Sequence, residues 1–508
     1  MSNSNNQIKT GAILNYIILG LNALVGLTYM PYMLRMLGPS EYGIYSLAAS
    51  VIAYLSMLDL GFGNAVIRYT AKYKAENRTE DQYNLFGLFT ILYSCIGVAT
   101  LAIGLILYSN VENMFGEALT PIEVERTKTI ILLMIFNLAV TFPLSIYGAI
   151  ITAYEKFIFL RVIQILRILL STAVMIVLLY YGHKAITMVI VQTIFNVVTL
   201  GLNFFYCRNK IKIRINFGHF DKKLLKEVSI YSFWIFLNLI MDKIYWSTGQ
   251  FILGAFVGTT AIAIFGVAIQ LESIYMSFST AISGVLLPRV TAMVSQGDNK
   301  KAVSDLFIKT GRIQYIVLVY ILTGFILFGK QFIILWAGED YVESYPIALI
   351  FFISLTAPLI QNTGIAILQA RNQMKFRSIL YVAISIMSLI LQIVLAKNYG
   401  GMGCAIAISI SLFIGQVLII NIYYNKVQNL QILCFWKEIA KMSIIPIIAI
   451  LILYPCVKHY TITGVNELLV AIATFTVIYI PLFWKFSMND YERALLKKPF
   501  YNRKKYLK

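Results

Sequence analysis

Charge is what this chain has least of. Asp, Glu, Lys and Arg make up 13% of its 508 residues, where a soluble domain is usually about a quarter charged. That shortage excludes an ordinary water-soluble fold. Cysteine is also scarce: Cys95, Cys207, Cys404, Cys434 and Cys456 form no CxxC pair and no metal-ligand spacing. They read as small buried hydrophobes, and neither a metal site nor a redox motif is expected. The chain lacks GxxxxGK[ST], HExxH and any nucleophile motif. It also lacks an outer connection long enough to fold, the longest running over about Ser109–Arg126. These absences count against an enzyme. Acids are the scarcer sign, 23 against 42 Lys and Arg, for a net charge of +19. Such a balance suits nucleic acid until its placement is considered.

What is abundant is apolar sequence, 59% of the chain, with a mean hydropathy of +0.76. Runs of about 20 residues recur throughout, each long enough to cross a bilayer core. The polar residues before Gly11 do not read as a cleavable signal. The fold class expected is an all-α integral membrane protein with fourteen spans. They cover about 11–33, 42–66, 84–108, 127–153, 159–181, 185–206, 228–254, 259–285, 313–336, 346–370, 376–396, 402–424, 439–457 and 464–484. The fifth and sixth are separated only by Tyr181–Lys184.

With the N-terminus in the cytoplasm, most Lys and Arg fall on the cytoplasmic side. Among them are Arg68, Lys72, Lys74 and Arg78, the segment Arg208–Lys226, and Arg503, Lys504, Lys505 and Lys508. Outer loops carry acids instead, such as Glu112, Glu117, Glu123, Glu339 and Asp340. This positive-inside pattern places both termini in the cytoplasm and accounts for the basic balance without nucleic acid.

The chain repeats itself. Gly104–Tyr108 matches Gly324–Phe328, Gly38 matches Gly258, Thr141–Leu144 matches Thr356–Leu359, and Arg161 matches Arg377, at a near-constant offset of about 220 residues. Six spans per copy is an even number, so the copies are parallel and related by an axis along the membrane normal. The organisation expected is a V-shaped two-lobe transporter: an N-lobe over 1–206, a cytoplasmic linker over 207–227, a C-lobe over 228–424, and two further spans with a basic tail over 425–508.

One stretch frames the first hairpin. Gly38 suits a left-handed helix end, Pro39 blocks continuation, and Ser40 can cap the next helix. Leu37-Gly38-Pro39-Ser40-Glu41-Tyr42-Gly43-Ile44-Tyr45, then Leu58-Asp59-Leu60-Gly61-Phe62-Gly63-Asn64-Ala65 and Arg68, resemble the start of bacterial polysaccharide flippases. These form the polysaccharide transporter branch of the multidrug/oligosaccharidyl-lipid/polysaccharide exporter superfamily. The resemblance implies transfer of undecaprenyl-diphosphate-linked sugar units, of O-antigen or capsule type, from the inner to the outer leaflet of the bacterial cytoplasmic membrane. It brings in a polysaccharide polymerase and assembly proteins as partners and no cofactor beyond H⁺ or Na⁺ coupling. Related lipid II flippases carry arginines in the first span. This sequence has none there, which counts against a peptidoglycan precursor.

Deep charges mark the candidate site, because a charge at the bilayer centre costs about 2.5–3.5 kcal/mol on insertion scales. Arg68, Arg161, Arg167 and Lys243 are the candidates for a cationic, diphosphate-binding cavity. Asn15, Asn22, Asn238, Trp246 and Gln250 are candidates for a polar lining, the last three on one face of span 7 with Asp242. Asp59, Asp242 and Glu272 are candidates for ion coupling. Plainer readings stand beside these: Asp242 locking helices through Lys243 or another span, Arg161 and Arg377 snorkelling to headgroups, and the Arg68 cluster acting as an orientation signal. The rival functions are a multidrug exporter of the same superfamily, which typically has twelve spans, and a membrane glycan polymerase or glycosyltransferase.

Overall fold

The computed structural model describes residues 2–217, 236, 239–284, 290, 292–293, 300–371, 373–459 and 462–495. Every regular element among them is helical. In chain order these are α1 (Ser2–Leu55), α2 (Phe62–Ala75), α3 (Thr79–Phe115), α4 (Pro121–Ala153), α5 (Phe157–Tyr180) and α6 (Ala185–Tyr206). They continue with α7 (Thr248–Phe256), α8 (Thr259–Gly284), α9 (Lys300–Trp336), α10 (Ser344–Ile360), α11 (Asn362–Ala370), α12 (Met374–Leu412), α13 (Ile420–Lys426), α14 (Ile432–His459) and α15 (Val465–Phe486).

Eleven helical stretches among the described residues are long and apolar enough to cross a membrane. Two of them, Ile13–Ala75 and Met374–Lys426, hold 63 and 53 residues. At 1.5 Å per residue, each is far longer than one crossing of a core roughly 30 Å thick. Each contains a break where the sequence puts a turn. In α1, Gly38 has φ 77° and ψ 170°, a conformation open to glycine and costly for a residue with a Cβ. In α12 the break is at Gly400. Of the span expected over 228–254, residues 228–235, 237 and 238 lie outside the described residues, and the remainder ends in α7. The short join between the fifth and sixth spans is where the sequence places it, Tyr181–Lys184, with Gly182 at φ 83°.

The chain divides into two compact units, Met1–Gly266 and Val267–Lys508. In the first, α3 and α4 pack along most of their length, α4 also meets α6, and α5 lies against α1. One core of this unit gathers Phe62, Phe86, Phe89, Tyr93, Phe142 and Tyr147, from α2, α3 and α4. This unit runs on to Gly266 because α7 packs against α1 and α3. In the second, α9 is the central helix, packed by α10 and α14, with α10 against α12. The lipid-facing sides account for the many exposed large apolar residues, such as Leu166, Leu170, Val177, Leu451 and Val477.

Candidate functional site

The second span does not run straight through to its basic exit. It tightens into a 3₁₀ turn over Ser56–Asp59, and Leu60 and Gly61 then both adopt left-handed backbone, at φ 53° and 70°, before α2 starts. A left-handed non-glycine residue costs about 1–2 kcal/mol, so the break is held by its surroundings. It sets the Asp59 carboxylate beside the Tyr93 hydroxyl and the Gly61 backbone N–H. Arg68 follows on α2, exposed, with its guanidinium 5.7 Å from the Tyr69 ring centre.

The remaining sequence candidates fall out unevenly. Arg161 and Arg167 are both half-buried on α5. Arg161 donates to Gln164 Oε1 at 3.1 Å, whereas the Arg167 side chain has no hydrogen-bond or ion-pair partner among the described residues. Lys243 is half-buried and its side chain is likewise without such a partner among them. Asp242 is exposed. Trp246 is half-buried, its ring 6.0 Å from that of the buried Tyr245. Gln250 turns its amide nitrogen toward Gly266. Asn15 is half-buried and Asn22 exposed. Asn238 lies outside the described residues.

Glu272 belongs to the second unit. It is 3% exposed, and its Oε1 has no hydrogen-bond partner among the described residues. Tyr275 and Ser279, three and seven residues on, share its side of α8. They are fully engaged: Tyr275 hydroxyl with Thr356 Oγ1 at 2.7 Å and the Leu318 carbonyl at 3.2 Å, and Ser279 Oγ with the Leu359 carbonyl at 2.7 Å. Leu359 lies just before the break between α10 and α11 at Gln361, which frees carbonyls for such bonds. Gln314 and Asn362 also donate to Ser279. No group of metal-ligating side chains occurs among the described residues.

Two clusters escaped the sequence reading. The first lies at the end of α4 opposite its aromatic core. Thr120 and Glu123 form a reciprocal capping box, the two ends of a Thr-x-x-Glu signature that was legible in the sequence. Glu123 Oε1 also accepts from Ser40 Oγ at 2.5 Å and Thr259 Oγ1 at 2.8 Å. Ser40 therefore spends its hydroxyl across the bundle rather than on capping its own helix. Its neighbour Glu41 is buried, pairs with Arg126 and accepts from the Ala185 N–H at 3.2 Å. The second cluster surrounds Arg312 on α9, 4% exposed. It donates to Glu492 at 2.5 and 3.0 Å, to Glu438 at 2.6 Å and to the Ser487 carbonyl at 3.2 Å. Each of its members sits at the margin of an apolar run, where sequence alone reads a charge as a solvated end.

The polysaccharide biosynthesis protein family matches residues 8–294, more than half of the chain. The chain belongs to that family. A Shigella flexneri protein whose name describes an O-antigen transporter is 21% identical over 409 residues, covering 79% of this chain and 94% of its own length. A Haloferax volcanii protein named as a flippase is 24% identical over 424 residues, covering 80% of this chain and 81% of its own. Among solved structures, lipid II flippase MurJ in an inward closed conformation matches with a TM-score of 0.70 at 16% identity, over 94% of this chain and 99% of that one. An inward-facing multidrug MATE transporter matches with a TM-score of 0.60 at 16% identity, over 82% and 99%. The fold of this family member is thus that of the MurJ and MATE transporters.

Proposed function

We propose that this protein moves undecaprenyl-diphosphate-linked oligosaccharide units from the inner to the outer leaflet of a bacterial cytoplasmic membrane, for surface polysaccharide synthesis. The observation that carries the reading is membership of the polysaccharide biosynthesis protein family. The relatives named as an O-antigen transporter and a flippase support it, and so does the absence of any enzyme motif in the sequence. A diphosphate and its sugars cannot cross hydrocarbon unaided, while the polyprenyl tail can stay in lipid. The protein's task is therefore to shelter the head.

In this reading two parallel six-span lobes, 1–206 and 228–424, rock about the linker 207–227, and spans 13 and 14 stand outside the repeat. Arg68, Arg161, Arg167 and Lys243 attract the diphosphate. Asn15, Asn22, Asn238, Trp246 and Gln250 offer hydroxyl partners and an aromatic face to the sugars. Glu272 takes up H⁺ or Na⁺ to drive the return. Its burial without a full set of partners supports this, because a carboxylate there lacks what normally offsets its loss of water. Asp59 and Asp242 are the alternatives for that task. A polysaccharide polymerase would receive the product outside.

The test is transfer of a defined polyprenyl-diphosphate oligosaccharide across vesicles containing the purified protein. Transfer well above that of empty vesicles is expected. Its absence, with export of cationic drugs in its place, would favour a multidrug exporter, the reading to which the MATE-like fold also lends itself.

A further inference from the structure

The end of α6 is followed by an unusual piece of chain. Cys207–Ile211 forms a π-helical turn, and Lys212 is left-handed at φ 58°. From there to Phe217 no regular element forms, and burial alternates as it does along an extended chain, Ile213 and Ile215 half-buried and Arg214 and Asn216 exposed. It reaches the first turns of α3, where the Asn216 N–H donates to the Tyr83 carbonyl at 3.1 Å. The Asn216 carbonyl lies so close over Gly87 that any Cβ there would collide with it. Ile211, Ile213 and Ile215 pack on the aromatic core at that end of the unit. This strap joins the end of α6 to the start of α3, so it lies across helix ends at one end of the unit.

An extended chain alternates its side chains. With the isoleucines turned inward, Lys212 and Arg214 are turned out, and Arg208 and Lys210 on the preceding turn are exposed beside them. None of these four has an ion-pair partner among the described residues. The contrast at the same end is Arg78, held by Glu76 at 3.2 Å and Asp81 at 2.8 Å. Setting orientation needs only cations in a loose loop. Here they are fixed on a backbone pinned by apolar packing and a main-chain bond, in a row rather than a pocket. Phe217, at the far end, adds an aromatic ring that is 56% exposed.

We propose that the strap Cys207–Phe217 is a docking surface for anionic phospholipid headgroups of the leaflet it borders, engaged by Arg208, Lys210, Lys212 and Arg214. A row of cations spread along an extended chain matches a plane of separate phosphates, where one diphosphate would need them converged. The proposal goes beyond the transport reading and does not depend on the cargo.

The test titrates the purified full-length protein with phosphatidylglycerol, phosphatidylcholine or undecaprenyl diphosphate and measures bound lipid by native mass spectrometry. The variants are the triple Lys210→Gln/Lys212→Asn/Arg214→Gln, with Asn chosen to tolerate the left-handed position, and the single Arg78→Gln. Affinity for phosphatidylglycerol should fall roughly fivefold for each cation removed, on the order of a hundredfold in the triple variant. The parent's affinity should weaken with added salt. Phosphatidylcholine binding should not change, and Arg78→Gln should bind like the parent, because that guanidinium is already paired. Unchanged phosphatidylglycerol binding in a triple variant that elutes and melts like the parent overturns the proposal. So does an equal loss in Arg78→Gln, or a loss confined to undecaprenyl diphosphate. A protein that binds headgroups but flips nothing would refute the transport reading and leave this one standing.

Discussion

At the scale of single residues, the buried charges divide into those that are satisfied and those that are not. Arg312 has a carboxylate on each side and a carbonyl, and its task is to hold structure. Removing it in Arg312→Ala leaves Glu492, 2% exposed, without its cation, which should cost about 3–5 kcal/mol. Glu438→Gln should cost far less, about 1 kcal/mol, since that side chain is 29% exposed with Lys441 at 2.9 Å. Thermal unfolding of the purified variants checks the order. Arg167 is the opposite case, half-buried and without a partner among the described residues. Arg167→Ala should reduce transport while the protein stays folded in the membrane. Arg167→Lys should retain more activity if charge alone matters, and less if a two-pronged phosphate contact is needed. Normal flipping by Arg167→Ala would remove this residue from the cargo path. Glu272→Gln should leave transport running but insensitive to an imposed ion gradient. A variant that keeps the parent's gradient dependence would exclude coupling through this group.

At the scale of elements, the Glu123 knot shows what a helix start can do beyond starting a helix. Losing a cap costs about 0.5–2 kcal/mol. Glu123→Ala also strips the acceptor from Ser40 and Thr259, so its effect should exceed that of Thr120→Ala. Hydrogen exchange should rise at the first turns of both α4 and α8, where a mere cap loss would move α4 alone. The sequence made the turns of this region legible, because Gly38 and Gly182 are glycines at positions of positive φ and periodic apolar runs stop on either side. It did not reveal that Ser40 would reach α4 instead of its own N–H groups. A hydroxyl has several affordable partners, and which one it takes depends on helices more than eighty residues away being brought alongside. Asp59 was legible as a deep acid. The paired left-handed residues that aim it at Tyr93 were not, since Leu60 gives no local sign of that conformation.

At the scale of the whole molecule, the charge pattern makes a claim that exposure now lets labelling test. Glu117 and Asn216 are both exposed, so a cysteine at either position is open to reagent. An impermeant thiol reagent added outside cells should mark Glu117→Cys and spare Asn216→Cys. The reverse result would invert the topology and with it every assignment of inner and outer ends. The helical class and the recurrence of membrane-crossing stretches were legible because burial in lipid demands long apolar runs and closes every backbone bond within the helix. The site was legible only as a set of expensive residues. Composition says which side chains need a reason to be in hydrocarbon, and only the fold says which of them already have one.

The Arg312 cluster also bears on how the protein is made. Arg312 and Glu492 are separated by 180 positions, and translation proceeds at roughly 5–20 residues per second. A newly inserted α9 therefore waits on the order of ten to forty seconds before its second carboxylate exists. For that interval Glu438 is the one carboxylate partner, among the described residues, that reaches Arg312 earlier. The Arg312 knot can close fully only after the last span has left the ribosome, and a chain stopped short of Glu492 would leave this arginine with Glu438 alone of its two carboxylates.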